Sequence, residues 1–182
     1  SCIDDATSFE PAFSAEVGGR TRAFLKIQDG CDYHCSFCTI PLARGASRSQ
    51  PAATIVTQAR TISEQGYKEI VLTGINVGDY GTKNGSSLFD LMKQLDRIDG
   101  IDRIRISSIE PNLLTFPMID FILSSEKFCH HFHVPLQSGS NAILKQMRRR
   151  YTREHYRYVI ERIHRMDPDA GIGVDVIVGF PG

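Results

Sequence analysis

The sequence has no apolar run near the roughly 20 residues that a membrane-spanning helix needs, so a helical membrane span is excluded. Its first residues lack the basic-then-apolar pattern of a secretory signal. Net charge is also missing: 21 basic side chains stand against 21 acidic ones, so there is no global pull on nucleic acid. The cysteines number five, an odd count with one tight cluster. That argues against a disulfide framework and for a reducing compartment, the cytoplasm. Apolar content is not lacking. At 41% over 182 residues it excludes a disordered chain and suffices for the core of one domain.

Three of the cysteines, Cys31, Cys35 and Cys38, follow a short apolar run, AFLKIQ, that reads as a strand. Gly30, Asp32, His34 and Ser36 between and beside them are loop-forming residues, so the thiols do not read as inert core side chains. They are poorly spaced for pairing with each other, and any bridge leaves one thiol over. Ligation is the physical reading. Soft thiolates select zinc, copper(I) or an iron–sulfur cluster. Structural zinc needs a fourth ligand, His34 or a distant residue. Three thiolates without an obvious fourth suit a four-iron cluster with one iron left open.

Along the chain, residues 1–22 are expected as a linker or the tail of a preceding element, acidic over 1–19 and without periodicity, with Cys2 a surface thiol. Residues 23–182 are expected as one core unit. Strands are expected at 23–28, 69–74, 103–109, 130–136 and 171–179. Between them, Pro51 and Gly66 bracket a helix with Ile55, Ala59 and Ile62 on one face. Leu88, Leu91, Leu95 and Ile98 form the stripe of a second helix. Pro117 sits in the first turn of a third, and helices follow over 140–147 and 152–166. The last has Tyr156, Val159, Ile160, Ile163 and Met166 inward. Strand and helix alternating five times signals a parallel sheet with helices outside it. A closed eight-stranded barrel typically takes about 250 residues, so this chain is too short for one, and an α/β parallel sheet ending after its fifth strand is expected.

The motif Cys31-x3-Cys35-x2-Cys38 after the first strand resembles that of radical S-adenosylmethionine (SAM) enzymes. IQDGCDYHCSFCTIPLARG, LTGINVGDYG, RISSIEP, HVPLQSGS and DVIVGFPG together resemble the methylthiotransferases of that superfamily. KQMRRRYTREHY and RISSIEP are most similar to the branch acting on N6-threonylcarbamoyladenosine at position 37 of tRNA. The resemblance implies a partial barrel of the radical SAM type and a [4Fe-4S] cluster held by Cys31, Cys35 and Cys38. It also implies S-adenosyl-L-methionine, whose one-electron cleavage gives a 5′-deoxyadenosyl radical, and no side chain acting as catalytic acid or base. Further implied are a second [4Fe-4S] cluster in a separate N-terminal domain, a tRNA anticodon stem-loop as partner, and an electron donor such as flavodoxin or ferredoxin. This chain alone is then expected not to transfer a methylthio group. Two other substrates remain open, isopentenyladenosine-37 of tRNA and a ribosomal protein residue. So does a zinc-stabilised nucleic-acid-binding module without catalysis.

In parallel α/β folds ligands sit at the carboxyl ends of strands, where the unusual residues of this chain lie. By analogy with the superfamily, Gly74, Ile75 and Asn76 take the methionine amino group. Gln137, Ser138 and Asp175 lie near ribose or carboxylate, Ile177 to Gly179 pack the adenine, and Glu110 stands at the third strand end. Asn76 departs from the acidic residue usual in the superfamily after the strand-two glycine. Each of these residues alone is equally readable as a turn or cap. Arg44 and Arg48, close after the cysteines, are expected to contact substrate or cofactor. Arg149 and Arg150, within a basic stretch from Lys145 to Arg165, are expected to meet tRNA phosphates, the alternative being a solvated helix face. His130, His131, His133 and Cys129 are expected in core or strand-end roles rather than as ligands, because 131 and 133 share a strand face and 130 does not.

Overall fold

Five short parallel strands in chain order carry the helices on one side and the loops of interest at their carboxyl ends. The computed structural model describes residue 3, residues 6–9, the backbone of 13–14, and residues 21–182. Cys2 and most of the expected linker lie outside the described residues. Within that stretch β1 (Phe13–Ser14) pairs antiparallel with β2 (Arg22–Lys26), an edge pairing that the aperiodic sequence does not predict.

β2 leads through Ile27 into β3 (Gln28–Asp29) and then the cysteine loop with a short helix α1 (Ile40–Arg44). β4 (Arg48–Ser49) closes that loop by pairing antiparallel with β3, Gln28 opposite Ser49 and Asp29 opposite Arg48. Next come α2 (Ala52–Glu64) and β5 (Glu69–Thr73). α3 (Leu88–Asp96) starts at an N-cap serine: the Ser87 hydroxyl accepts from the Asp90 amide and donates to its carboxylate. β6 (Arg103–Ile106) precedes α4 (Phe116–Ser124), which has a proline in its first turn. The chain continues with β7 (His131–His133), α5 (Asn141–Gln146), α6 (Arg153–Met166) and β8 (Gly171–Gly173).

β2, β5 and β6 are parallel neighbours, and β7 is parallel to β8. An Ile104–Phe128 bridge and the Ile109 amide donating to the His133 carbonyl carry the order from β6 to β7. This is the expected partial barrel. The registers explain its two faces. Ala23, Ile70 and Ile104 share one row, and Leu25, Leu72 and Ile106 share another. All six are buried against Ile55, Ala59 and Ile62 of α2, Leu91 and Leu95 of α3, Ile119 of α4 and Val159 and Ile163 of α6. Arg22, Glu69 and Arg103 form a charged row on the other face. Among the described residues no helix is long and apolar enough to cross a membrane.

Four expectations need correction, the first being the third strand, which ends at Ile106 rather than at 109. The fourth strand is shorter than 130–136, because Pro135 cannot donate to the ladder and Gln137 turns to a φ of 62°. The fifth covers only Gly171–Gly173, with a bridge from Val176 to Gln137; Val174, Val176 and Val178 are 46%, 56% and 92% exposed at the sheet edge. Met166 is 46% exposed rather than inward, since it is the last residue of α6, beyond the core that Ile163 reaches.

Candidate cofactor site

The cysteine loop leaves the sheet where β3 ends. Gly30 has a φ of +72°, and a Cβ there would strike the Ala46 carbonyl, so only glycine fits. The Cys31 amide donates to the Gly45 carbonyl at 3.0 Å, and Asp32 accepts from the Ser47 amide at 3.0 Å. These bonds, with the β3–β4 ladder, close the base of the loop. Its tip is held from far away. Ser36 donates through its amide to the Met147 carbonyl (3.2 Å) and through its hydroxyl to the Gln146 carbonyl (2.9 Å). The Arg150 guanidinium lies 3.8 Å over the Tyr33 ring, and the Tyr33 hydroxyl accepts from Asn112 at 2.8 Å.

The three cysteines open onto one cavity of about 180 Å³, shared with Ile75, Asn76, Glu110, Gln137 and Arg149. Tyr33, Phe37 and Ile40 give it an apolar side. Burial pushes the Cys31 thiol up; the Tyr33 amide works against this, and charge on Cys35 or Cys38 works with it. The Arg149 side chain is 4% exposed, donates to the Cys35 sulfur at 3.1 Å and pairs with Glu110. Burial opposes its charge, but the Glu110 carboxylate outweighs that and keeps the guanidinium firmly protonated. Asn76 is buried, lines the cavity, and has neither amide atom paired.

The cavity far exceeds the roughly 10–15 Å³ that one water needs by the same measure. Among the described residues no three His, Cys, Asp or Glu side chains converge on a single ion. One zinc with sulfurs at about 2.3 Å would require such convergence, whereas a polynuclear cluster bonds its thiolates through different irons. His34 is exposed and does not line the cavity. The three thiols, the void between them and the unpaired Asn76 amide thus suit a cluster with a polar organic ligand.

The family model of the radical SAM superfamily matches residues 25–182, the stretch that builds this cavity. The chain belongs to the radical SAM superfamily. Among curated relatives it is 48% identical over 164 residues to the threonylcarbamoyladenosine tRNA methylthiotransferase MtaB of Chlamydia pneumoniae, covering 90% of this chain and 39% of that protein. It is 42% identical over 175 residues to the tRNA-2-methylthio-N(6)-dimethylallyladenosine synthase of Syntrophotalea carbinolica, covering 95% and 39%. This radical SAM chain therefore spans about two fifths of the relatives it matches. A solved radical S-adenosylmethionine methyltransferase, TsrM of Kitasatospora setae with cobalamin and a [4Fe-4S] cluster bound, shares its fold. The TM-score is 0.63 at 18% identity, over 84% of this chain and 28% of that one.

Not every residue expected at the site lies in the cavity. Cys31, Cys35, Cys38, Ile75, Asn76, Glu110, Gln137 and Arg149 are brought together there. Gly74 sits behind them: a Cβ would stand 3.0 Å from Gln28, so its smallness serves the approach of Gln28. Ser138, Asp175, Ile177 and Gly179 lie beyond Gln137 around the end of β8, outside the cavity lining. Asp175 pairs with His133, which meets Ser108 through its other nitrogen. Arg44 is exposed, and Arg150 stacks on Tyr33. Arg48 is 9% exposed, with its guanidinium engaged by Asp29 at 3.2 Å and the Arg44 carbonyl at 2.9 Å. It holds the loop base and does not line the cavity.

Sequence reasoning passes over Gln28, Tyr33, Phe37, Ile40 and Asn112. Gln28 is fully buried at the end of an apolar run, where a polar residue is costly unless paired. That interruption of the run was the available signal.

Proposed function

We propose that this chain is the radical SAM core of a methylthiotransferase acting on N6-threonylcarbamoyladenosine of tRNA, with the modification at C2 of the base. The observation that carries the reading is its 48% identity to a threonylcarbamoyladenosine enzyme, against 42% to a dimethylallyladenosine synthase of the same length share. The cavity supports it chemically.

Cys31, Cys35 and Cys38 would hold a [4Fe-4S] cluster on its protein side, leaving the cavity side open. When bound, reduced cluster and S-adenosyl-L-methionine supply hydrogen abstraction from an unactivated carbon, which side-chain acids and bases cannot. The residues of the chain do the rest. The unpaired Asn76 amide and Gln137, held in the left-handed region, offer polar contacts that orient a ligand. Phe37 and Ile75, 39% and 38% exposed at the cavity, together with Tyr33 and Ile40, would limit water around a bound cluster and its ligand. Glu110 and Arg149 supply a charge pair beside the thiols. Ser138, Asp175, Ile177 and Gly179, one strand end away, are proposed to meet the far part of the nucleoside. Arg44 and Arg150 are proposed to meet RNA phosphates. A flavodoxin- or ferredoxin-type donor, a second cluster in a further domain and a cytoplasmic setting go with this reading.

Anaerobic reconstitution with iron and sulfide tests it. About four irons per chain, lost in Cys35→Ala, and a cluster spectrum altered by S-adenosylmethionine are expected. The loaded 182-residue chain is expected to cleave S-adenosylmethionine under reductant without forming a methylthio nucleoside. Tight zinc with no iron would overturn the reading in favour of a binding module.

A further inference from the structure

The hydrogen bond from Arg149 to Cys35 joins residues 114 apart in sequence, and the chain is bent to make it. Arg148 takes a φ of 58°, in the left-handed region that non-glycine residues seldom adopt. The Arg149 amide returns to the Leu144 carbonyl at 2.9 Å, and the two Ser36 bonds fasten the cysteine loop to the residues just before it. The guanidinium then spans two acceptors, the Cys35 sulfur and the Glu110 carboxylate, and lies over the Tyr151 ring, 5.2 Å from its centroid. At 4% exposure it is largely unscreened by solvent.

We propose that Arg149 is a positioning residue that tunes the reduction potential of the cluster through the Cys35 sulfur, with Glu110 as the opposing control. The inference rests on the cluster reading given above. Reduction adds one electron and hence negative charge to the cluster and its thiolates. A buried cation bonded to one of those sulfurs stabilises the reduced form more than the oxidised form, and so raises the potential. The Glu110 carboxylate on the other arm of the same guanidinium cancels part of that charge and lowers it again. Cys35 thereby differs from Cys31, whose sulfur accepts a neutral backbone amide, from Tyr33 at 3.4 Å. Partners of this kind around a metal site are known to set ligand strength and potential.

The two side chains predict shifts of opposite sign, which a merely structural role does not. The test is a dithionite redox titration of the reconstituted full chain followed by electron paramagnetic resonance, without S-adenosylmethionine. Arg149→Gln is expected to retain its iron and to be harder to reduce by at least tenfold in the equilibrium, about 59 mV for one electron. Arg149→Lys should recover part of that shift, keeping charge without the fork. Glu110→Gln is expected to move the potential the other way. Unchanged potentials in iron-replete Arg149→Gln would overturn the inference and leave the cluster reading standing. If Arg149→Gln fails to take up iron, Glu110→Gln decides: an upward shift supports the proposal and none overturns it. A wild-type chain that takes up no iron would instead overturn the cluster reading itself.

Discussion

The backbone amide of Asn76 donates to the side-chain oxygen of Gln28 at 2.8 Å, tying the loops after two neighbouring parallel strands. Gln28 is fully buried. Its nitrogen lies 2.7 Å from the Gly30 carbonyl, 3.1 Å from that of Asp29 and 3.0 Å from the Ser47 hydroxyl. One side chain thus connects the cysteine loop to the turn that presents Asn76 to the cavity.

Replacing Gln28 with leucine leaves those groups buried without partners, at a cost of about 1–3 kcal/mol for the first of them alone. Gln28→Leu is expected to lower the urea midpoint accordingly and to weaken S-adenosylmethionine binding by the loaded protein. A change under about 0.5 kcal/mol, within the range of ordinary surface substitutions, would show that the network does not hold the site.

Gly30 tests the loop separately from the core. Forcing alanine into its left-handed conformation costs about 1–3 kcal/mol, before the contact with the Ala46 carbonyl is counted. Gly30→Ala is expected to keep the helical circular dichroism signal and lose iron uptake. Wild-type uptake in that variant would contradict the tight closure of the loop.

Glu69 makes stability depend on acid. Burial works to raise its carboxyl, but the Arg103 hydrogen bond and the charges of Arg105, Arg103 and Arg22 outweigh it and hold the group below its usual 4.5. A depressed folded value means stabilisation that is complete above 4.5 and lost as the pH falls through the lower folded value. Glu69→Gln is expected to cost about 1.5–3 kcal/mol near neutrality, and the gap from wild type should close at lower pH. A gap that stays constant would rule out the ionised row of Arg22, Glu69 and Arg103.

Cys129 is predicted to be outside the site chemistry. Burial pushes its thiol above 9.0, with Arg105 pulling partly the other way. At neutral pH it should react with iodoacetamide more slowly than a free thiol, the rate rising as the pH passes 9.0. Cys129→Ala should leave the iron content unchanged; iron loss in that variant would place a fourth thiol at the cluster.

The amino-acid sequence by itself determined most of the helices and parallel strands and the clustering of the three cysteines. Ile55, Ala59 and Ile62 repeat at helical spacing, and Ile70, Val71 and Leu72 are consecutive apolar, mostly β-branched residues. The three cysteines sit within eight residues of one another, so their shared cavity needs only a loop. Such features depend on neighbours a few positions away, which is what periodicity and spacing record. Only the tertiary structure decided that Arg149 reaches Cys35, that Arg48 turns to Asp29 and away from the cavity, and that Asp175 pairs with His133. It also left Val178 at 92% exposure although its sequence reads as part of a strand. Those outcomes turn on strand register, on a left-handed residue at Arg148, and on which strand has a neighbour. Each brings together residues that no local pattern relates.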